Sequence, residues 1–168
     1  QFQVNQSLTH CGIVCTNDLV KPEEYEIAHP SQKEAIGKRL ATLVLVDNYL
    51  KDIVLLDNYS VASSCAKSPY LEAMTFTDSS SLKVNLTHCA DGIMQQENYI
   101  GFEIAGSDSL FYPATATLQN DNQSFRIESE FVKHPIAVRY CFKNFQLGNV
   151  KSRCGLPLIP FRTDTWKN

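Results

Sequence analysis

The sequence has little of what marks a chain for a nucleic acid, a bilayer or a metal. Its 15 lysines and arginines are outnumbered by 18 aspartates and glutamates, for a net charge of −3. No basic face is available to displace counterions from a phosphate backbone, which excludes nucleic acid as the expected partner. The longest strongly apolar run, Leu43-Val44-Leu45-Val46, is far short of the roughly 20 residues that cross a bilayer as a helix, so no membrane span is expected. No two of the 6 cysteines have C-x-x-C spacing, which removes the zinc-knuckle and redox-motif readings and leaves no metal site. Internal repeats and low-complexity tracts are missing as well, which argues against solenoids and propellers. The chain opens at Gln1 with neither methionine nor a signal-like segment, as expected of a mature or partial chain whose targeting peptide lies elsewhere.

What is present is the composition of a folded protein. With 168 residues, 43% hydrophobic and 20% charged, the chain can bury a real core, and disorder, collagen and coiled coil are excluded. That length suits one domain or two small ones. The cysteines, Cys11, Cys15, Cys65, Cys89, Cys141 and Cys154, are even in number, and sequons occur at Asn5, Asn58, Asn85 and Asn122. Together they point to a glycoprotein of an oxidising compartment, whether secreted, lysosomal or periplasmic. The sequence does not fix how the cysteines pair.

The chain changes character near residue 70. Before it, Gly12-Ile13-Val14-Cys15-Thr16 is a short apolar run suited to a buried strand, ended by Asn17-Asp18. A polar loop through Lys21-Pro22-Glu23-Glu24 leads to His29-Pro30-Ser31. Ser31 and Glu34 stand at capping-box spacing, and Ile36, Leu40, Leu43 and Val44 give one apolar face to a helix over residues 32–46. That face needs something to pack on. After Ser68-Pro69 the helical period gives way to alternating runs at Met74-Phe76, Leu82-Leu86, Phe102-Ile104, Ala114-Leu118, Phe125-Ile127 and Ala137-Tyr140. Each is the pattern of a half-buried antiparallel strand, and turn clusters separate them as in a β-sandwich. The tail Leu156-Pro157-Leu158-Ile159-Pro160-Phe161 cannot be a central strand, because its prolines lack ladder donors. It is expected to lie extended over an apolar surface.

His29 is the residue with the most promising setting for chemistry. It precedes a helix and follows a loop, and Glu26 stands three residues before it, close enough to reach one imidazole nitrogen. A carboxylate there would fix the tautomer and stabilise the imidazolium formed when the other nitrogen takes a proton from a hydroxyl. Spacing alone is equally compatible with a ring that packs beside a helix start. His10, His88 and His134 are scattered and carry no such context. Gly106-Ser107-Asp108-Ser109-Leu110 has the letters of a nucleophile block but sits in a strand-turn region, where Ser109 reads as a turn residue. Arg162, Asp164 and Trp166 read as a clasp that pins the tail, or else as a contact for an acidic sugar.

The stretch His29-Pro-Ser-Gln-Lys-Glu-Ala-Ile-Gly-Lys-Arg-Leu-Ala41 resembles the segment that carries the catalytic histidine in the sialate O-acetylesterase family, a branch of the SGNH hydrolases. Thr16-Asn17-Asp18-Leu19, Gly101-Phe-Glu-Ile-Ala-Gly-Ser-Asp108, Phe111-Tyr-Pro-Ala114, Pro135-Ile-Ala-Val-Arg-Tyr140 and Leu156 to Trp166 are similar to further blocks of that family, in order. The resemblance covers most of residues 11–166 and implies an α+β, mostly β fold. A C-terminal β-α-β piece of a flavodoxin-like SGNH esterase domain would occupy residues 1–60, and an antiparallel β-sandwich residues 61–168.

It also implies a hydrolase of O-acetyl esters on sialic acid or a related glycan that needs no cofactor. His29 is then the general base and Glu26 the acid that orients it, with Asp18 as the alternative acid. The family's nucleophile lies in a Gly-x-Ser-type motif well before this histidine, and nothing before residue 29 supplies it. The expected partner is therefore an N-terminal esterase half, or a second chain, that carries the serine. The other function open to such a chain is a glycan-binding or purely structural β-sandwich module without catalysis.

Overall fold

The structure is a computed structural model that describes residues 2–26, 31–49, 53–56, 59–62 and 65–166. His29 and the sequon residue Asn58 lie outside the described residues. Alternation of apolar and polar side chains builds the larger part of the fold. In β4 (Ser81–Thr87), Leu82, Val84 and Leu86 point inward and are fully or almost fully buried, while Lys83, Asn85 and Thr87 point outward. β8 (Ser124–Glu128) does the same with Phe125 and Ile127. These two strands are the centre of a four-stranded antiparallel sheet in the order β3-β4-β8-β7, with β3 at Tyr70–Phe76 and β7 at Thr115–Leu118.

A second antiparallel sheet, β10-β9-β5-β6, faces the first across the core. Its strands are β5 (Phe102–Ala105), β6 (Phe111–Pro113), β9 (Ala137–Tyr140) and β10 (Phe161–Arg162). Phe102 and Ile104 of β5, Val138 and Tyr140 of β9 and Phe161 of β10 join the β4 and β8 side chains in one cluster. Burying each side chain of this size contributes about 1.5–3 kcal/mol, so this interior dominates the stability of the described structure. At Tyr140 the packing is close: a Cβ at Gly148 would collide with the tyrosine hydroxyl and with the Cys141 sulfur. Only a glycine fits there.

The strands expected after residue 70 are all present. β6 adds one that alternation missed, because it is three residues long and ends on Pro113, after which the Ala114 amide bonds Phe102 O and the chain crosses into the other sheet as β7. The tail behaves as its prolines require. Leu158 and Ile159 are buried, Pro157 makes an isolated bridge with Lys151, and Phe161–Arg162 pair as an edge strand on β9. Ser109 (φ 61) is a turn residue between β5 and β6, where its N–H donates to Gly106 O at 3.1 Å and Asp108 Oδ1 accepts from the Leu110 amide.

Two expectations about the first 50 residues do not hold. Residues 11–16 form no strand: among the described residues no strand pairs with them, and a run of this kind becomes a ladder only beside a neighbour. The expected capping box is also absent. The helix α2 runs over Lys33–Asn48 with Gln32 at its N-cap and no side-chain cap bond, Glu34 faces Lys38 at 3.0 Å, and the Ser31 amide donates to Glu24 instead. A buried carboxylate seven residues upstream outcompetes an exposed one three residues downstream. A short helix α1 (Phe2–Ser7) and a hairpin of β1 (Ile53–Leu56) and β2 (Tyr59–Ala62) complete the described elements. Cys65 and Cys154 form a disulfide that ties the approach to β3 to the loop before the tail.

Candidate functional site

Asp18 sits in a 3-10 turn at Asn17–Leu19, with its side chain 5% exposed. Arg39 of α2 meets it fork to fork, at 2.7 Å to Oδ1 and 2.8 Å to Oδ2, and also donates to Cys15 O at 2.7 Å. Lys151, from the loop before the tail, reaches Oδ2 at 2.9 Å. Burial pushes the Asp18 carboxyl up, but the two cations outweigh it and hold the group below the usual carboxylate range. Both oxygens are thus taken by cations that bring together the 17–19 turn, α2 and the sandwich. The sequence signal for this clasp was weak, because its three partners are far apart in the chain.

Glu24 lies in the segment between this turn and α2. It is buried, and its two oxygens accept the amide protons of Lys21 at 2.9 Å and Ser31 at 3.1 Å. Those donors lower its pKa, the Lys21 amide most. Glu26 is exposed in the turn that follows. The structure therefore places Glu26 and Asp18 apart in role: one carboxylate is open to solvent, the other is saturated by cations.

A cleft of about 950 Å³ opens between residues 13–17 on one side and the tail residues 159–166 on the other. Its wall on the tail side is the clasp the sequence suggested. Asp164, 1% exposed, receives Arg139 Nε at 2.8 Å and Arg139 NH2 at 2.9 Å and also pairs with Arg162, whose guanidinium donates to Trp166 O at 2.7 Å. Burial raises the Asp164 carboxyl, and the two guanidinium groups more than reverse this, to about 2. Arg139 lies 3.8 Å over the Phe111 ring, and Trp166 packs on the same ring at 5.7 Å. The cluster closes the outer face of the β10-β9-β5-β6 sheet, so its charges hold one another.

The remaining histidines are placed without a catalytic partner. His134 is exposed, with Nδ1 3.0 Å from Ser79 O. His88 stands edge-on to Tyr70 at 4.9 Å beside a cavity of about 120 Å³, and burial, then Lys67, lowers its pKa. His10 is exposed. Among the described residues no serine hydroxyl is hydrogen-bonded to an imidazole: the Ser80 and Ser124 hydroxyls bond aspartates, and those of Ser7 and Ser129 bond carbonyls. No helix among the described residues is long and apolar enough to cross a membrane.

No protein-family model matches the chain, and no curated protein does. Solved structures do. One, described as a novel carbohydrate acetylesterase from Xanthomonas citri, superimposes with a TM-score of 0.68 at 29% sequence identity. The match covers 82% of this chain and 29% of that one. The chain is therefore similar in fold and in sequence to part of a carbohydrate acetylesterase and spans less than a third of its length.

Proposed function

We propose that this chain is the C-terminal portion of a carbohydrate O-acetyl ester hydrolase of the sialate O-acetylesterase type, in the SGNH branch. The observation that carries the reading is the likeness to part of a longer acetylesterase, a match that covers 82% of this chain and 29% of that one. Residues 1–60 belong to the esterase domain and residues 61–168 are its β-sandwich. His29 is the general base and Glu26 its orienting acid. Asp18 is the weaker choice for that acid, because both of its oxygens already accept from Arg39 and Lys151. The serine lies in the N-terminal half or in a second chain.

In this scheme the serine attacks the acetyl carbonyl, His29 takes its proton and passes it to the departing sugar oxygen, and water then releases acetate. Donors around the site hold the oxyanion. An O-acetylated sialic acid or a related glycan is the substrate, and the chemistry calls on no cofactor. The Cys65–Cys154 disulfide supports an oxidising compartment, whether extracellular, lysosomal or periplasmic.

A self-contained glycan-binding or structural module would seal its helix. Here α2 buries Leu43 but leaves Leu40 46% exposed, which favours a portion that packs on more protein. The test is acetate release from O-acetylated sialic acid. The chain alone is expected to be inactive, and the chain combined with the serine-bearing half active. His29→Ala is expected to cut that turnover by about 10³-fold or more, since a triad without its base keeps only the residual rate. Turnover that survives the substitution removes His29 from the mechanism.

A further inference from the structure

The fold treats the described sequons differently. Asn85 lies inside β4, on the outward row with Lys83 and Thr87, and is half-buried. Its partners across the sheet are Ala73 of β3 and Ser124 of β8. Ala73 has no side chain that reaches the amide, and the Ser124 hydroxyl is turned to Asp121 Oδ2 at 2.6 Å. Among the described residues no group hydrogen-bonds the Asn85 amide or the Thr87 hydroxyl. Polar groups without a protein partner are left to water. Asparagine is depleted in strands, and here nothing in the fold uses it.

The other two described sequons are engaged. Asn122 has a left-handed backbone (φ 54), its Oδ1 accepts from Gln95 Nε2 at 3.1 Å, and Ser124, the hydroxyl residue of its motif, is 1% exposed. The side-chain oxygen of Asn5 is buried, and the Ser7 hydroxyl donates to Val4 O at 2.9 Å. Around Asn85, by contrast, the sheet is a solvent face. It carries exposed ion pairs, Lys83 with Asp121 at 3.5 Å and Arg126 with Asp78 and Glu128 at 3.2 and 3.1 Å. The cleft and the Arg139–Asp164 clasp belong to the opposite sheet.

Resting on the reading of an extracellular or lysosomal compartment, we propose that Asn85 is a site of N-glycosylation, and that its glycan holds the outer face of the β3-β4-β8-β7 sheet in solvent. The donor is an oligosaccharide on a lipid pyrophosphate. A bond forms between Asn85 Nδ2 and the anomeric carbon, and the bond from that carbon to the pyrophosphate oxygen breaks. The pyrophosphate leaves with the electron pair, and the amide gives up one proton. Thr87 supplies the hydroxyl of the acceptor motif Asn85-Leu86-Thr87. Transfer takes place on the entering chain, before the sheet closes, so what the fold decides is whether the product fits. At Asn85 it leaves along an outward side chain, beside a small neighbour, and displaces no hydrogen bond.

The test secretes the whole chain from cultured animal cells behind a signal segment. Wild type is expected to run with a mobility shift that peptide N-glycosidase reduces, and the enzyme is expected to leave an aspartate at position 85, read by peptide mass spectrometry. Asn85→Gln and Thr87→Ala are each expected to lose that step of the shift, the second with the asparagine in place, and Asn122→Gln to keep it. An unmodified Asn85 in secreted wild type overturns the proposal, whether or not another sequon is occupied. The glycan lies away from the cleft, so acetate release by the combined halves is expected to be the same before and after its removal. Turnover that rises severalfold on removal overturns the placement of that face in solvent. Failure of the compartment reading looks different: Cys65 and Cys154 would be alkylated without reduction in the same secreted sample, whatever the state of Asn85.

Discussion

Thiol chemistry separates the cysteines at the scale of single residues. Cys15, Cys89 and Cys141 are buried, and desolvation first of all pushes each thiol up to about 11. Cys11 is exposed, and Cys65 and Cys154 are bonded to each other. The thiolate is the species that reacts with an alkylating agent. Brief treatment of the native chain with iodoacetamide at about pH 7 is therefore expected to modify Cys11 alone, read by peptide mass spectrometry. Early label on Cys15 or Cys141 would mean that the packing around the tail is wrong.

Asp164 is the residue on which the tail depends. Its carboxyl is depressed to about 2 in the folded chain by Arg139 and Arg162, against the burial that would raise it. A depressed carboxyl contributes stability that is present above its unfolded value of about 3.9 and is lost as pH falls through the folded one. The tail clasp is thus fully effective at neutral pH and weakens only between about pH 4 and 2. Asp164→Asn leaves two guanidinium groups facing each other at the edge of the core. Urea titration is expected to find a loss of about 3 kcal/mol, and a loss near zero would mark the clasp as ornamental.

Among the elements, α2 is held by charge as well as by burial. Its apolar contribution to the described core is Leu43, whereas Arg39 takes Asp18 from both sides of the guanidinium and Lys151 completes the clasp. Asp18→Ala is expected to raise hydrogen exchange through residues 33–48 while β4, β8 and β9 keep their protection. Uniform loss across all of them would show that the clasp belongs to the global fold. The carboxyl is depressed, so α2 should loosen in the same way in the wild type as pH drops below the ordinary aspartate range, and not as it rises.

Legibility in the sequence followed the range of the forces involved. Strands β4, β8 and β9 were readable because each alternates between a core face and a solvent face, which is a local pattern. The Ser109 turn and the tail clasp were readable for the same reason, since Asp108, Arg162 and Asp164 act within a few residues. The run from Gly12 to Thr16 was read as a strand from its apolar character, but strand formation depends on a neighbour that local sequence does not reveal. The Ser31–Glu34 box failed because Glu24, seven residues away, competes for the same amide. The Asp18–Arg39–Lys151 clasp joins residues up to 133 positions apart and left no local trace.

At the scale of the whole molecule, several features share one explanation. The apolar run at residues 12–16 has no strand partner among the described residues, α2 shows Leu40 to solvent, and the cleft beside the tail is open. Under the proposed reading, each is a surface that the rest of the esterase domain would cover. The central claim is that an imidazole in this chain serves a serine in another part of the enzyme. Fluorophosphonate labelling tests it most directly, because the probe traps only an activated serine. The account predicts no label on this chain by itself, label on a serine of the other half once the two are combined, and a labelling rate that falls about 10³-fold or more in His29→Ala. Label on a serine of this chain, or labelling of the assembly that is indifferent to His29→Ala, would contradict it.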